Sequence, residues 1–202
     1  FELTIDANGT AAAAGGDVEL LGPDVEQDPQ ILAEINRLAE PLEAVRRRII
    51  GELAAEVDQS LCRRQECMMG NLVSDAVMWR LRGQNVQIVI SNGGGLRAGL
   101  PAGPVTFGGV LTVLPFQNTI ATMRLKGADV LASLENGVSQ VEQNGGRFPQ
   151  VGGMRYTWDR ARPPGSRIVS AELRLPNGQY APIDPNATYT VATNNFVRQG
   201  GD

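Results

Sequence analysis

The sequence predicts a domain of the α/β class and the α+β type, in which a mixed sheet is flanked by helices and preceded by a long linker helix. Three observations support this prediction. Helical and strand-like segments alternate from Gly70 onward. Hairpin-type turns such as Pro176-Asn177-Gly178 separate the late strands, which favours a mixed sheet over a purely parallel one. An amphipathic helix over about Asp28 to Ile49 comes before them.

Residues 1–27 are interpreted as the end of an upstream domain or as a linker. Phe1 to Ile5 alternates between apolar and polar residues, and Asn8-Gly9 predicts a turn. A Gly/Ala patch then leads to a second apolar stretch at Val18 to Leu21. Because the chain starts at Phe1, without an initiator Met or a signal peptide, we expect it to be a processed or excised piece of a longer protein.

Residues 28–50 are predicted to form a helix that connects two domains. Asp28 is a suitable N-cap and Pro29 a suitable first-turn residue. Apolar residues recur at spacings of four and three, which places them on one helical face. They are Ile31, Ile35, Leu38, Leu42, Val45 and Ile49. Pro41 predicts a kink and Gly51 marks the end, although the same pattern would also suit an ordinary packing helix.

Residues 51–202 are predicted to form the main domain. Helical periodicity predicts two helices, Asn71 to Arg82 and Ala128 to Val141. The short apolar run Val86 to Ile90 predicts a buried strand before a glycine loop. The other predicted strands are Val110 to Leu114, Thr119 to Leu125, Met154 to Trp158, Ile168 to Leu175 and Tyr189 to Ala192.

Composition limits the classes of partner. The chain has 202 residues, of which 42% are hydrophobic, enough for one globular domain with its own core. Its 18 Lys and Arg against 22 Asp and Glu give a net charge of -4, which provides no general attraction to nucleic acid or to an anionic membrane surface. No apolar run reaches the roughly 18 residues that a membrane-spanning helix needs. We therefore expect neither a nucleic-acid partner nor a membrane span.

The absence of histidine is the strongest chemical restriction. It excludes histidine-containing metal sites, serine–histidine or cysteine–histidine nucleophile pairs, and a histidine general base. The two cysteines, Cys62 and Cys67, have a spacing that fits no common zinc motif. They would form a disulfide in an extracellular protein and would stay as free thiols in a cytosolic one.

Four clusters carry the candidate chemistry: CRRQECMMGN, SNGGGLRAGL, VLPFQN and TNNFVRQGGD. In the second, the predicted strand runs into Asn92 and three glycines, a loop type whose backbone can approach a ligand and present N–H groups to it. Arg97, shortly after the glycines, could bind phosphate or carboxylate through paired hydrogen bonds. A tight structural turn is the alternative for the loop, and a surface salt bridge is the alternative for Arg97.

In this order and at this spacing, the four clusters resemble the C-terminal domain of the 5'-nucleotidase and UDP-sugar hydrolase family. The resemblance runs from about Gly51 to Asp202. Asn92 to Arg97 match the family's NGGGIR loop with one leucine for isoleucine, Leu114 to Phe116 match its LPF segment, and Asn195 to Asp202 match its NF-x-x-x-GGD segment. The first cluster and the helix after it match at Arg63, Glu66, Gly70, Asn71 and Asp75.

The resemblance implies a nucleoside pocket. Phe116 and Phe196 would hold a nucleobase between them, and Asp202 would accept hydrogen bonds from the ribose hydroxyls. Arg63 and Arg97 would bind the sugar edge or the phosphates of the nucleotide. The other residues implied at the substrate are Asn92, Gly95 and Asn195. Without the resemblance, the two phenylalanines would be interpreted as core residues and Asp202 as a turn residue.

The resemblance also implies a division of labour. Catalysis in the family belongs to an N-terminal metallophosphoesterase domain that holds two divalent metal ions, so no catalytic residue, metal ligand or bound cofactor is expected in this chain. A Cys62–Cys67 disulfide would fix the loop around Arg63, in a periplasmic or secreted protein. Hydrolases of the same architecture for a UDP-sugar, a cyclic nucleotide or a thiosulfate carrier are the alternatives, as is a non-catalytic adhesion module.

Overall fold

The computed structural model describes residues 2–16 and 20–202. It divides into two compact units, Phe1–Ala44 and Val45–Asp202. Of the sequence stretches interpreted above, Phe1 and the first half of Val18 to Leu21 lie outside the described residues.

The first unit contains a hairpin of two antiparallel strands, β1 (Glu2–Ile5) and β2 (Ala11–Gly15). The chain turns at Gly9, which has a φ of +81° in the left-handed region that favours glycine. The Asp6 carboxylate accepts two amide hydrogens of the turn, each at 2.9 Å. The predicted Asn8-Gly9 turn is therefore confirmed.

Helix α1 (Pro29–Arg46) confirms the long helix predicted near the start. The Asp28 carboxylate caps it by accepting two amide hydrogens of the first turn, at 2.8 and 3.1 Å. The predicted end at Ile49 was wrong. This β-branched residue begins strand β3 (Ile49–Leu53), because it finds an antiparallel partner in residues 103–106, far along the chain. The role of the helix as a connector remains a prediction.

The second unit holds the remaining elements. The helices that lie wholly within it are α2 (Met68–Arg80), α3 (Phe107–Val113), α4 (Gly127–Gly137) and α5 (Asn195–Arg198). Its other strands are β4 (Ile88–Asn92), β5 (Gly103–Thr106), β6 (Ile120–Lys126), β7 (Pro149–Gly152), β8 (Met154–Trp158), β9 (Ile168–Arg174), β10 (Tyr180–Pro182) and β11 (Thr188–Asn194). Within the described residues, no helix has both the length and the apolar composition needed to cross a membrane.

The sheets confirm the predicted mixed α+β architecture. The central sheet has the strand order β6-β11-β4-β7, in which β11 and β4 are parallel and the other two pairs are antiparallel. A second, antiparallel sheet has the order β10-β9-β8. The turn between β9 and β10 is the predicted Pro176-Asn177-Gly178.

The stretch Val110 to Leu114 was wrongly predicted to be a strand. Its β-branched and leucine residues are compatible with either a strand or a buried helix. In the structure this stretch forms the second half of α3. The Thr106 hydroxyl favours the helix, because it caps α3 by accepting the amide hydrogen of Gly109 at 3.0 Å. The strand in this region is β5, which ends at the capping residue Thr106 itself.

The bounds of α2 and α4 also differ from the prediction, by the largest amounts at the start of α2 and at the end of α4. α2 begins at Met68 rather than Asn71, because the Cys67 sulfur accepts an amide hydrogen of the first turn at 3.1 Å and so acts as an N-cap. α4 ends at Gly137 rather than Val141, at a residue that disfavours helix. The α2 start was missed because cysteine is not a residue that sequence patterns commonly assign to a helix N-cap, whereas glycine is a common helix end and was overlooked in α4.

The hydrophobic core lies between the central sheet, α4 and the second sheet. Its fully buried members include Ile88 and Val191 of the sheet and Val130 and Leu134 of α4. Because β4 and β11 are parallel, their carboxyl ends lie at one edge of the central sheet, and the segments that follow them emerge there together. This edge positions the candidate site.

An ionic network around the buried Arg167 guanidinium joins the start of β9 to α4 and the segment after it. Arg167 is 5% exposed, and its guanidinium donates to both carboxylate oxygens of Glu142 at 2.8 and 3.1 Å and to the Val138 carbonyl at 2.6 Å. The Glu135 carboxylate accepts the backbone amide hydrogens of Arg167 and Ile168. Hydrogen bonding from Arg167 holds the pKa of Glu142 below its ordinary value. The network therefore fastens the second sheet to the end of α4.

Candidate functional site

The candidate site lies where β4 and β11 end. β4 ends at Asn92, two residues beyond the predicted strand, and β11 ends at Asn194. The Asn194 amide donates to the Asn92 side-chain oxygen at 2.9 Å, and the Asn92 amide donates to the Asp202 carboxylate at 2.6 Å. Asn92 is buried, so these two bonds determine which way its amide faces. Asn92 and Asp202 were predicted here from the sequence, and Asn194 was not.

The triple glycine forms one 3₁₀ turn directly after β4. The Gly93 amide donates to the Phe148 carbonyl and the Gly94 amide to the Gly146 carbonyl, at 2.8 and 2.7 Å. A Cβ atom on Gly93 would overlap the Cys62 carbonyl, and one on Gly94 would lie 2.7 Å from the Gly146 Cα atom. These glycines therefore allow three chain segments to meet. Their N–H groups are used within the protein, so the predicted presentation of these two groups to a ligand was wrong.

A cleft of about 190 Å³ opens beside this turn, and we call it the phenylalanine cleft. Five of the eight predicted substrate residues line it, although Asn92 and Asp202 are 110 positions apart in the sequence. Phe116 is 58% exposed and Phe196 is 43% exposed, so neither phenylalanine is a core residue. The lining residues are Asn92, Gly94, Gly95, Phe116, Asn118, Phe196 and Asp202.

Asn195 lies behind the cleft rather than in its lining. Its side-chain oxygen accepts the amide hydrogen of Thr119 at 2.8 Å, and its own backbone amide donates to the Thr119 carbonyl at 2.9 Å. This pair of bonds ties the loop that carries Phe116 to the residue before Phe196. Asn195 therefore lies where it positions both phenylalanines.

Phe196 lies in the short helix α5, and the glycines after it shape the chain around its ring. Asn194 caps α5 by accepting an amide hydrogen of its first turn at 2.9 Å. Gly200 has a φ of +94°, and a Cβ atom on Gly201 would overlap the Phe196 ring. Only glycine fits these positions, and they return the chain to the cleft at Asp202.

Asp202 is held at both its carboxylate and its backbone. The carboxylate oxygen Oδ2 accepts from Asn92, and the backbone carbonyl accepts from the Asn136 side chain at 2.8 Å. Asn136 is in turn oriented by Arg147, which donates to it at 3.0 Å. Within the described residues, the other carboxylate oxygen of Asp202 accepts no hydrogen bond, so it keeps its acceptor capacity.

The two predicted arginines lie beside the cleft. The Arg97 guanidinium carbon is 5.8 Å from the centre of the Phe116 ring, and the group donates to the Gly94 carbonyl at 3.3 Å. Arg63 donates to the Asn144 carbonyl at 3.3 Å. Neither arginine forms an ion pair in the part of the chain that the structure describes, so Arg97 is not a surface salt bridge.

The Cys62–Cys67 disulfide is confirmed, and it closes the loop that carries Arg63. Both cysteines are buried. The Gln150 side chain donates to the carbonyls of Cys62 and Gln65, at 2.9 and 2.8 Å, and so holds the loop from inside. The Arg63 loop is therefore a rigid rim next to the glycine turn.

Three residues of this region were not predicted from the sequence: Gly94, Asn118 and Asn194. Each lies inside one of the four clusters, so the signal was the cluster itself rather than the residue type. In residues 2–16 and 20–202, no three His, Cys, Asp or Glu side chains are placed to hold a metal ion. The arrangement has aromatic walls, an unpaired carboxylate oxygen and cations at its rim, which is the chemistry of binding a flat, polar, anionic ligand.

Comparison with known proteins identifies relatives of this chain. The family model described as "5'-nucleotidase, C-terminal domain" matches residues 49–202. The trifunctional nucleotide phosphoesterase protein YfkN of Bacillus subtilis is 35% identical over 206 residues, which cover all of this chain and 14% of YfkN. The snake venom 5'-nucleotidase of Naja atra is 32% identical over 220 residues, covering all of this chain and 41% of that protein. The crystal structure of a 5'-nucleotidase precursor from Thermus thermophilus superposes with a TM-score of 0.81 at 42% identity, over 98% of this chain and 40% of that one. The chain thus spans less than half the length of each of these proteins.

Proposed function

The chain belongs to the 5'-nucleotidase family as a C-terminal domain, and we propose that it recognises the nucleoside part of a nucleotide in the phenylalanine cleft. The observation that carries the proposal is that two exposed phenylalanines line the same cleft as Asp202, whose carboxylate keeps one oxygen unpaired within the described residues. Exposed aromatic rings leave their faces available to a ligand, which core phenylalanines do not.

The nucleobase would stack on Phe116 and Phe196. Stacking of a base on an aromatic side chain is worth about 1–3 kcal/mol and tolerates any base, because every base has a π-face. Asn195 supports this role indirectly, since its two bonds to Thr119 hold the phenylalanine-bearing segments together. The cleft would therefore be selective for nucleotides as a class rather than for one base.

The ribose and phosphates would meet the polar side of the cleft. The free oxygen of Asp202 can accept from ribose hydroxyls, and Asn92 holds the carboxylate in place through its 2.6 Å hydrogen bond. Arg97 and Arg63 stand beside the cleft without ion-pair partners among the described residues, so their charges are available to a phosphate. These cations would direct the phosphate away from the base.

Hydrolysis would take place on another domain. We expect residues 1–27 to end an N-terminal metallophosphoesterase domain, residues 28–50 to connect the two domains, and residues 51–202 to recognise the substrate. The described residues place no cluster that fits a metal ion. The two divalent ions that the family implies would then be held by the N-terminal domain, where they would activate water for attack on the phosphoester. Binding of the nucleoside here would position the phosphate for that attack.

We also infer that the protein works in the periplasm or outside the cell. A buried disulfide between the only two cysteines in the chain supports this location, because disulfides persist in oxidising compartments. The venom and precursor names of two relatives are consistent with it.

Calorimetric titration of the chain with adenosine and AMP tests the cleft. We expect Phe196→Ala to lower the affinity for both ligands at least tenfold, because one stacking surface is lost. Phe107→Ala is the matched control, since Phe107 packs against Arg48 away from the cleft lining. Wild-type affinity in Phe196→Ala would contradict the proposed cleft.

A phosphatase assay tests the division of labour. The chain, supplied with Mg²⁺, Mn²⁺ or Zn²⁺, should release no phosphate from AMP above the rate of a metal-only blank. Metal-dependent turnover that follows the protein concentration would show that hydrolytic groups lie in this chain.

A further inference from the structure

A groove of about 450 Å³ lies along the outer edge of β7, and we call it the β7 groove. It has more than twice the volume of the phenylalanine cleft, and the two share no lining residue. Its lining includes Glu66, Asn71 and Asp75 of the first sequence cluster and the helix after it, which nucleoside binding as proposed above does not use. The β7 groove is therefore a surface separate from the proposed nucleoside site.

β7 presents unpaired backbone groups to this groove. It is an outer strand of the central sheet and pairs only with β4. In an antiparallel pair of strands, hydrogen-bonded and non-hydrogen-bonded residue pairs alternate. The Gly93 amide donates to the Phe148 carbonyl, and Val151 lies three positions beyond Phe148, so Val151 belongs to a non-hydrogen-bonded pair. Its N–H and C=O therefore point away from β4, and no described residue bonds to either group.

Pro149 agrees with this orientation. It lies two positions before Val151, so its carbonyl points to the same side, where it accepts the hydroxyl hydrogen of Tyr156 at 2.8 Å. Proline occurs in sheets where its missing N–H would face away from the ladder. The outer edge of β7 thus has one carbonyl already used, at Pro149, and one free N–H and C=O, at Val151.

The walls of the β7 groove carry exposed charges of both signs. Glu66 and Asp75 come from α2 and the loop before it, and Arg174 comes from the end of β9. Within the described residues, none of the three forms an ion pair. Burial raises the pKa of the Tyr156 hydroxyl, and so does the Glu66 carboxylate, whose charge therefore acts inside the groove. These walls suit a ligand that has both a cationic and an anionic group.

The order of the charges along the groove follows from how its walls are attached to β7. The Gln150 side chain, near the start of β7, donates to the carbonyl of Gln65, the residue before Glu66, at 2.8 Å. At the other end, the Arg174 amide donates to the carbonyl of Gly153, directly after β7, at 2.9 Å. The negative charge of Glu66 thus lies near the start of β7 and the positive charge of Arg174 near its end.

The other outer strand of the central sheet, β6, is less suited to binding a further strand. It exposes two cations, Arg124 and Lys126, and charged side chains on an outer strand oppose the addition of another one. β7 itself contains no charged residue. The charges at its edge come from the neighbouring walls and leave the strand accessible.

We propose that the β7 groove binds an extended peptide segment of a partner protein, which adds to the central sheet as an antiparallel strand next to β7. One residue of the segment exchanges both backbone hydrogen bonds with Val151, as in other cases of strand addition. An acidic side chain before this residue lies beside Arg174, and a basic side chain after it lies beside Glu66 and Asp75. Backbone pairing supplies affinity, and the charges determine direction and sequence preference.

The capped peptide acetyl-Thr-Glu-Val-Lys-Thr-amide, titrated into the chain and followed by amide-resolved NMR, tests the proposal. We expect a saturable shift of the Val151 amide signal, because this N–H then donates to the central valine of the peptide. The peptide with Glu and Lys exchanged should bind about threefold more weakly, since each charge then lies beside a like charge. A Val151 signal that does not move at millimolar peptide would overturn the proposal.

N-methylation of the peptide tests the backbone pairing without changing the protein. A methyl group on the nitrogen of the central valine removes the donor to the Val151 carbonyl and should weaken binding about tenfold. A methyl group on the nitrogen of the Glu is the matched control, because that N–H points to the other side of an extended strand. Equal affinities of the two methylated peptides would rule out strand addition at β7.

Glu66→Gln and Arg174→Gln test the charges. Each should lower the affinity for the peptide about threefold, as expected for exposed ion pairs, and Arg124→Gln on β6 is the matched control that should bind like wild type. Wild-type affinity in both groove variants would contradict the proposed arrangement of charges. A Val151 signal that moves with protein concentration in the absence of peptide would show that β7 pairs with a second copy of this chain, and it would overturn the partner segment.

Discussion

The phenylalanine cleft and the Arg167 network contain similar polar groups but differ in burial and in what they leave unpaired. In the network, a guanidinium that is 5% exposed donates to Glu142 and to the carbonyls of Val138 and Arg162. In the cleft, Asp202 is exposed and keeps one carboxylate oxygen without a donor among the described residues. A buried guanidinium whose three nitrogens are all hydrogen-bonded contributes to stability, whereas an exposed and partly paired carboxylate leaves acceptor capacity for a ligand.

The two regions also differ in backbone conformation. Gln117 and Asp202, which flank or line the cleft, have φ values of +53° and +54°, in the left-handed region that non-glycine residues rarely adopt. This backbone conformation raises the free energy of the folded state by about 1–2 kcal/mol for each such residue, so contacts elsewhere must stabilise it. Arg167 instead lies directly before the regular strand β9. The cleft therefore depends on local backbone strain that the surrounding fold supports.

The largest expected effect is a loss of stability that leaves ligand binding nearly unchanged. Arg167→Met should lower the free energy of unfolding by about 3 kcal/mol, because the buried Val138 carbonyl, the Arg162 carbonyl and the Glu142 carboxylate lose their donor. The affinity for adenosine should stay within twofold of wild type. Urea denaturation and calorimetry measure the two quantities.

Arg155→Met is the matched control for this substitution. Arg155 also pairs with a glutamate, at 2.6 Å, but its side chain is mostly exposed. Its loss of stability should be much smaller than that of Arg167→Met. Equal losses in the two variants would show that burial does not distinguish the two ion pairs.

A smaller effect is expected for Asn194→Asp, which should change the affinity for adenosine rather than the stability. Asn194→Asp keeps the oxygen that caps α5 but loses the amide that donates to Asn92. Asn92 then no longer has a fixed orientation toward Asp202, and the affinity for adenosine should fall about fivefold with little change in unfolding free energy.

Asn177→Asp is the control for Asn194→Asp, since its side-chain oxygen also accepts a backbone amide hydrogen, in the turn before β10. It should leave the affinity unchanged. If Asn194→Asp also binds adenosine like wild type, Asn92 keeps its orientation without Asn194.

The smallest effect is the part of the pH dependence of stability that comes from Glu142. The folded pKa of Glu142 lies below its ordinary value of 4.5, because Arg167 donates to the carboxylate. Its contribution to stability is therefore fully present above pH 4.5 and is lost as the pH falls through the folded pKa. Glu142→Gln should show a shallower loss of unfolding free energy below pH 4.5 than wild type. Arg167→Met should show the same shallower slope, and a slope equal to that of wild type in either variant would rule out the pair as its source.

Elements formed by residues close together in the chain were predictable from the sequence. The Pro176-Asn177-Gly178 turn and strand β8 at Met154–Trp158 were predicted at the observed positions. The α3 helix was not, because a run of valine and leucine fits both a strand and a buried helix until a cap is known. Ile49 was misassigned for a related reason, since its partner strand is more than 50 positions away.

The sequence by itself determined which residue types the site would contain: the two phenylalanines, the terminal aspartate, the glycine turn and the cysteine pair all belong to short ordered clusters. Only the tertiary structure decided how they are used. It placed Asn195 behind the cleft, used the Gly93 and Gly94 amides within the protein, and brought Asn194 against Asn92. The physical reason is that β4 and β11 pair in parallel, which joins residues 102 positions apart, and no local pattern records a contact of that range.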